Sequence, residues 1–239
     1  YFSAAQDGRD NDGNITQTVA GVKQLTSIEG KFKGVRQGTG VGDNRYSTHS
    51  RTTITTSSKI IVMAAAEVWF LRAEAALRGF TSEEVESCYK QGVTTSFAQW
   101  DASGVSEYLE SENTPADYVD TFDKNFDAKA TTSITPKWDN TADNETKLER
   151  IITQKWLAIY PEGCEAWAEQ RRTGYPKLFK VVVNNSSNAI STDDMIRRVF
   201  FNQDYITNNK PLYDALVSKL GGLDTGGTRL WWDTGKNNF

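Results

Sequence analysis

The sequence predicts a mainly α protein built from packed helix hairpins and preceded by a long loop-rich segment. Three observations carry this. Strong helix formers crowd residues 64–77, in Ala-Ala-Ala-Glu-Val-Trp-Phe-Leu-Arg-Ala-Glu-Ala-Ala-Leu. Apolar side chains recur at helical spacing from Leu148 to Tyr160. Residues 1–60, by contrast, are dominated by Gly, Asp, Asn, Thr and Ser, which form turns and tolerate positive φ.

The elements follow in order. Residues 1–60 read as long loops with short extended pieces such as Thr52 to Thr56, and the texture changes at Ile60, which separates this segment from residues 61–239. The first helix spans Ala64 to Leu77, with Val68, Leu71 and Ala75 at helical spacing, and Gly79 stops it. Thr81-Ser82-Glu83-Glu84 supplies a capping box for a second helix running to about Trp100. So short a link requires antiparallel packing. Alanines at 65, 66, 73, 75 and 76 let the two axes approach closely, which makes a helix hairpin of tetratricopeptide type, with Trp69 early in its first helix. A short helix is expected near Pro115 to Phe126. From Asn144 a strongly patterned helix runs to Pro161, with Leu148, Ile151, Ile152, Trp156, Leu157, Ile159 and Tyr160 as its apolar face. A turn at Pro161-Glu162-Gly163 leads into a helix from Cys164 to Arg172 that carries Ala166, Trp167 and Ala168. In this second hairpin Trp156 and Trp167 are expected to bury much of their area. Residues 174–206 read as irregular. Asn208-Asn209-Lys210-Pro211 opens a final helix that Gly221-Gly222 ends. The aromatic tail Leu230-Trp231-Trp232-Asp233 is expected to tuck against the body.

Composition excludes several function classes. The balance of 27 basic against 31 acidic residues gives a net charge of −4 without a lysine- or arginine-rich block, so the electrostatic footprint of a nucleic-acid binder is missing. No run approaches eighteen consecutive apolar residues. Cys88 and Cys164 are far apart in sequence and His49 is the only histidine, so no spacing suits a zinc site. His49 lies in a polar, turn-rich stretch without a nucleophile elbow and reads as a surface residue. Each cysteine falls in a helical context, where a small buried thiol is the default, and a mutual disulfide remains open. Asp10-Asn11-Asp12-Gly13 fails the register of a calcium hand, because Gly8 would occupy the first ligand position and Val19 the bidentate one. A looser calcium site and a solvated acidic turn are the remaining readings. The Gly38, Gly40, Gly42 run opens no helix and precedes no Lys-Ser/Thr, so it reads as a flexible loop, not a phosphate cradle. Glu83/Glu84 and Asp193/Asp194 are nominal pairs for glycoside hydrolysis, but acids beside helix starts are better explained by dipole complementarity. No metal and no cofactor is expected.

Among the aromatics, Phe32 and Tyr46 have the least structural excuse, because they lie in the loop-rich first quarter. Exposed rings of this kind stack on the C–H faces of sugars. Asp43, Asn44 and Arg45 beside them would bond hydroxyls. Phe32, Asp43, Asn44, Arg45 and Tyr46 are therefore the candidate ligand-binding residues.

The ordered motifs resemble one family. Residues 66–80 (Ala-Glu-Val-Trp-Phe-Leu-Arg-Ala-Glu-Ala-Ala-Leu-Arg-Gly-Phe), 148–163 (Leu-Glu-Arg-Ile-Ile-Thr-Gln-Lys-Trp-Leu-Ala-Ile-Tyr-Pro-Glu-Gly) and 165–179 (Glu-Ala-Trp-Ala-Glu-Gln-Arg-Arg-Thr-Gly-Tyr-Pro-Lys-Leu-Phe) resemble the C-terminal half of SusD/RagB-like proteins. So do Arg197-Arg198, Asn208-Asn209 and the Gly226-Gly227-Thr-Arg-Leu-Trp-Trp-Asp233 close, which extends the resemblance over about residues 60–233. The resemblance implies a SusD-like α/α superhelix of tetratricopeptide helix pairs, in a nutrient-binding lipoprotein on the extracellular face of the Bacteroidetes outer membrane. It implies a TonB-dependent SusC-like transporter as partner, a glycan ligand without catalysis, and no nucleic acid. Members are about twice this length, so the N-terminal half of the family fold, with its lipid anchor, is expected to be absent.

Three other readings stand beside glycan delivery. A peptide-binding member of the same family needs an apolar groove or an exposed sheet edge, and a helical-repeat interaction scaffold needs a concave face for a protein partner. A glycosidase needs two facing carboxylates about 5–9 Å apart.

Overall fold

The computed structural model describes residues 18–19, 22–23, 31–39, 46, 49–52, 54–58 and 60–239. Seven helices carry the described architecture: α1 (Ala65–Leu77), α2 (Val85–Gln99), α3 (Val105–Leu109), α4 (Asn144–Ala158), α5 (Gly163–Thr173), α6 (Gln203–Asn208) and α7 (Lys210–Leu220). Two two-residue strands, β1 (Thr18–Val19) and β2 (Val22–Lys23), pair antiparallel, with Thr18 opposite Lys23 and Val19 opposite Val22.

The expected helix pairs are present, with local corrections. α1 closes in a tight turn in which Gly79 N–H donates to Ala76 and Phe80 N–H to Ala75. α2 starts at Val85 with Glu84 as its cap. The Glu84 carboxylate accepts from the backbone of Glu86 and Ser87, so the capping box expected at Thr81 or Ser82 is displaced by the longer acidic side chain. Asp143 caps α4 by accepting from Thr146 N–H, and Asn209 caps α7 by accepting from Leu212 N–H. The short helix expected over Pro115 to Phe126 is reduced to one 3₁₀ turn at Lys124–Phe126. Two helices were not anticipated. α3 follows a left-handed Gly104 with no capping side chain, and α6 is a single short run that Asn202 caps.

The core lies where α1 meets α2 and α4. Ala66, Phe70 and Ala73 of α1 pack with Cys88, Tyr89 and Val93 of α2 and with Leu148, Ile151, Ile152 and Ala158 of α4. The alanines permit this approach, and Gly92 sharpens it: a Cβ there would stand 2.8 Å from the Phe70 ring. Trp138, from the loop before α4, seals one end with its ring 5.1 Å from that of Tyr89, and the Tyr89 hydroxyl donates to Pro136 O at 2.5 Å.

α4 departs from its expected face. Leu148, Ile151 and Ile152 are buried as the pattern requires, but Leu157 is exposed and Trp156 only half-buried. The next position in phase with the buried face is Lys155, which is wholly out of solvent. Its ammonium lies 2.9 Å from Glu169, 3.0 Å from Glu165 and 3.4 Å from Glu67. Burial disfavours the charged lysine, yet Glu169 and Glu165 outweigh it and hold its pKa above the ordinary value. The α4–α5 junction is thus held by ion pairs where tryptophan packing was expected. Trp167 is half-buried as well, with its indole N–H on Ile196 O and the Arg171 guanidinium 3.8 Å from its ring centroid.

The C-terminal tail tucks in part. Asp233 is buried, accepting from Arg197 Nε at 2.7 Å and Arg229 Nη1 at 2.5 Å, whereas Trp231 stands 92% exposed. Cys88 is buried as expected; Cys164, near the start of α5, is exposed instead, and both thiols are free.

Candidate functional site

Residues 31–39 form a strap held to the body by its basic side chains. Lys33 Nζ donates to Val119 O at 2.5 Å, and its backbone exchanges hydrogen bonds with Ser50. Arg36 reaches three carbonyls, of Phe126 (2.9 Å), Asp127 (3.2 Å) and Lys180 (2.6 Å). The strap therefore bridges two segments far apart in sequence. Phe32 projects from it and is 74% exposed, as a stacking platform requires.

Tyr46 is placed differently from the expectation of an exposed ring. It is buried, edge-on to His49 and Phe122, and its hydroxyl donates to the Asp120 carboxylate at 3.1 Å. Asp120 also accepts from Tyr118 Oη and from the backbone of Phe122 and Asp123, so this carboxylate is a hub that fastens Tyr46 to the 117–128 loop. Burial, with Asp120 adding to it, pushes the Tyr118 phenol up to about 12. His49 belongs to the same cluster and is buried, not a surface residue, with Nε2 3.0 Å from Thr121 Oγ1. Burial foremost, then Lys33, holds its pKa below the ordinary imidazole value, against the pull of Asp120. Asp43, Asn44 and Arg45 lie outside the described residues, as do the Asp10–Gly13 turn and Gly40 and Gly42.

Behind the strap lies a cleft of about 500 Å³, bounded by residues 177–196 together with Gln37, Gln170 and Gly174. Gly38 packs against one of its lining residues, Val181. It has φ of 75°, its carbonyl accepts from Val182 and Val183 N–H, and a Cβ on it would lie 2.6 Å from that of Val181. Apart from the Asp193/Asp194 pair, residues 177–196 offer no site signal in the sequence, because they carry neither helical nor strand periodicity. A second hollow, about 400 Å³ and almost wholly apolar, opens at the α4–α5 turn between Trp156, Tyr160, Pro161 and Ala166.

The carboxylates nominated for hydrolysis have other work. Glu83 pairs with Arg72, whose hydrogen bond holds the acid below the usual carboxylate range, opposite to what a general acid needs. Glu84 caps α2. Asp193 pairs with Lys180 at 2.5 Å, and Asp194 with Arg229 at 2.8 Å and Arg197 at 3.3 Å. Among the described residues no group of His, Cys, Asp or Glu side chains is placed to hold a metal ion, and no helix is long and apolar enough to cross a membrane.

The family model for SusD-like proteins, described as Susd and RagB outer membrane lipoprotein, matches residues 7–233. A SusD homologue of Bacteroides vulgatus is 47% identical, with a TM-score of 0.84 over 100% of this chain and 46% of its own. A chitin-binding SusD homologue of Flavobacterium johnsoniae is 39% identical (TM-score 0.82), again over 100% of this chain and 46% of its own. One from Bacteroides thetaiotaomicron is 34% identical (TM-score 0.80), over 99% and 48%. This chain spans about half the length of each. Among curated proteins none matches.

Proposed function

Because this chain belongs to the SusD and RagB family of outer membrane lipoproteins, we propose that it serves non-catalytic binding of extracellular glycan at the cell surface and delivery to a SusC-like, TonB-dependent transporter. The observation that carries this reading is the 39% identity, over the whole of this chain, to a homologue described as chitin-binding. Phe32 is the stacking platform in this proposal, since its ring is open to solvent on a strap anchored at both sides. In this proposal Asp43, Asn44 and Arg45 bond hydroxyls, and Tyr46 has a supporting role through its hydrogen bond to Asp120.

Affinity electrophoresis through gels containing chitin oligomers, β-glucan, starch or xylan tests the reading. Retardation on at least one glycan, weakened by Phe32→Ala, is the expected result. No retardation on any glycan, with binding to a peptide library instead, would favour the peptide-binding alternative.

A further inference from the structure

His49 occupies a pocket that has no place for its charged form. The ring is 3% exposed, edge-on to Tyr46 with centroids 5.0 Å apart and 6.2 Å from the ring of Phe122, and its Nε2 is matched by Thr121 Oγ1. Its other nitrogen, Nδ1, is buried and has no hydrogen-bond partner among the described residues. A neutral imidazole carries one ring proton and one lone pair, whereas the imidazolium carries a proton on both nitrogens. Protonation would therefore bury a charged Nδ1–H with nothing to accept it, which costs far more than burying a lone pair. Among the described residues the charged groups that face the ring are Lys33 from the strap and Asp120 from the 117–128 loop. Lys33 repels an imidazolium. Asp120 attracts one, but its oxygens already accept from the hydroxyls of Tyr46 and Tyr118 and from the N–H groups of Phe122 and Asp123. Tyr46 is the remaining titratable group in contact, and its hydroxyl is spent on Asp120.

The walls of this pocket also anchor one end of the strap. Ser50, next to His49, donates its N–H to Lys33 O at 2.9 Å and accepts Lys33 N–H on Oγ at 2.8 Å. Lys33 Nζ donates to Val119 O, in the segment that carries Asp120, Thr121 and Phe122. The imidazole cannot leave without displacing Ser50 or that segment, and Lys33 then loses its anchors. Arg36 fastens the other end elsewhere, on the carbonyls of Phe126, Asp127 and Lys180. Phe32 lies on the Lys33 side.

We propose that His49 is a pH-sensitive latch: neutral, it keeps Ser50 and residues 119–122 in place around Lys33; protonated, it leaves its pocket and frees the Phe32–Lys33 end of the strap, while the Arg36 end stays fastened. Weaker ligand binding in acid, through the displaced Phe32, rests on the glycan reading above; the latch itself needs no ligand. Site-resolved amide hydrogen exchange of the full chain without glycan, followed from about pH 7.5 to about pH 5 and corrected for intrinsic exchange rates, tests it. The Lys33 and Ser50 amides should lose protection as pH falls below about 6.5, by at most about tenfold per pH unit, because a single proton is taken up. The Val182 and Val183 amides, which donate to Gly38 O at the far end of the strap, and the amide of the core residue Val93 should keep theirs. His49→Gln, which cannot take up the proton, should abolish the loss. If that variant does not fold, the parent decides, since the loss must level off as the imidazole resonance titrates. Protection of Lys33 and Ser50 that is unchanged across this range, the same loss in His49→Gln, or a loss shared with Val182 or Val93 would overturn the latch and leave the glycan reading standing.

Discussion

Arg172 grips Glu74 with two guanidinium nitrogens, each 2.6 Å from a carboxylate oxygen, across 98 positions of sequence. The same arginine holds Glu169 at 2.6 Å, and Glu169 in turn holds the buried Lys155 at 2.9 Å. One continuous ionic chain therefore ties α1, α4 and α5. Removing Lys155 takes from Glu67 its counter-charge in this network and from Glu169 one of its two. Lys155→Ala should cost about 3–5 kcal/mol in urea unfolding. Lys155→Met combined with Glu169→Gln should cost less than the sum of the two single changes, since each single change already removes the attraction between the two groups. Additive costs would show that the pair is not coupled.

The same network sets an acid limit. Burial pushes Glu74 up, but Arg172 and Arg78 outweigh it and hold its carboxyl below the usual range. The folded state thus binds this proton less readily than the unfolded chain, whose carboxyl titrates at about 4.3. The contribution is complete above that value and is lost as pH falls through the folded pKa. Glu74→Gln should lower stability at pH 7 and flatten its decline below about pH 4.3, measured by unfolding midpoints across pH.

His49 can be followed alone, because it is the only histidine. Its depressed pKa means that the folded state resists protonation, so stability from this group is complete above about pH 6.5 and falls as pH drops through the folded value. The imidazole proton resonance should titrate below about 6.5. A midpoint at or above that value would contradict the buried placement.

Gly92 fixes how closely α1 and α2 approach. Gly92→Ala sets a methyl 2.8 Å from the wedged Phe70 ring and should cost about 1–3 kcal/mol. Phe70→Leu removes the clash, so the alanine should be cheaper in that background. Denaturant melts of the four proteins in the cycle measure the coupling.

The two aromatic truncations should separate core from rim. Phe70→Ala, at a position 1% exposed, should cost about 3–5 kcal/mol. Trp156 borders the open hollow at the α4–α5 turn and is only half-buried, so Trp156→Ala should cost clearly less. Equal costs would mean that the hollow is filled in solution.

Much of the fold is legible in consecutive residues. The alanine-rich run of α1, the Leu148, Ile151 and Ile152 spacing of α4, the Asn209 cap with Pro211 behind it and the stop at Gly79 are local signals that the structure bears out. The short α3 and α6 escaped because five or six residues carry too little periodicity to distinguish helix from loop. Phe32 was recognisable as an aromatic without local company. Tyr46 looked the same, but its partner Asp120 lies 74 positions away.

The sequence by itself determined the helix pairs, the absence of a basic footprint and the resemblance that places the chain in its family, since helix propensity, charge and motif order are written within a few turns of chain. The tertiary structure alone decided that Lys155, not Trp156 or Leu157, completes the buried face of α4, and that Tyr46 turns inward. The reason is physical. A buried polar group is stable only beside groups that satisfy it, and here those groups come from elements that meet only once the chain has folded.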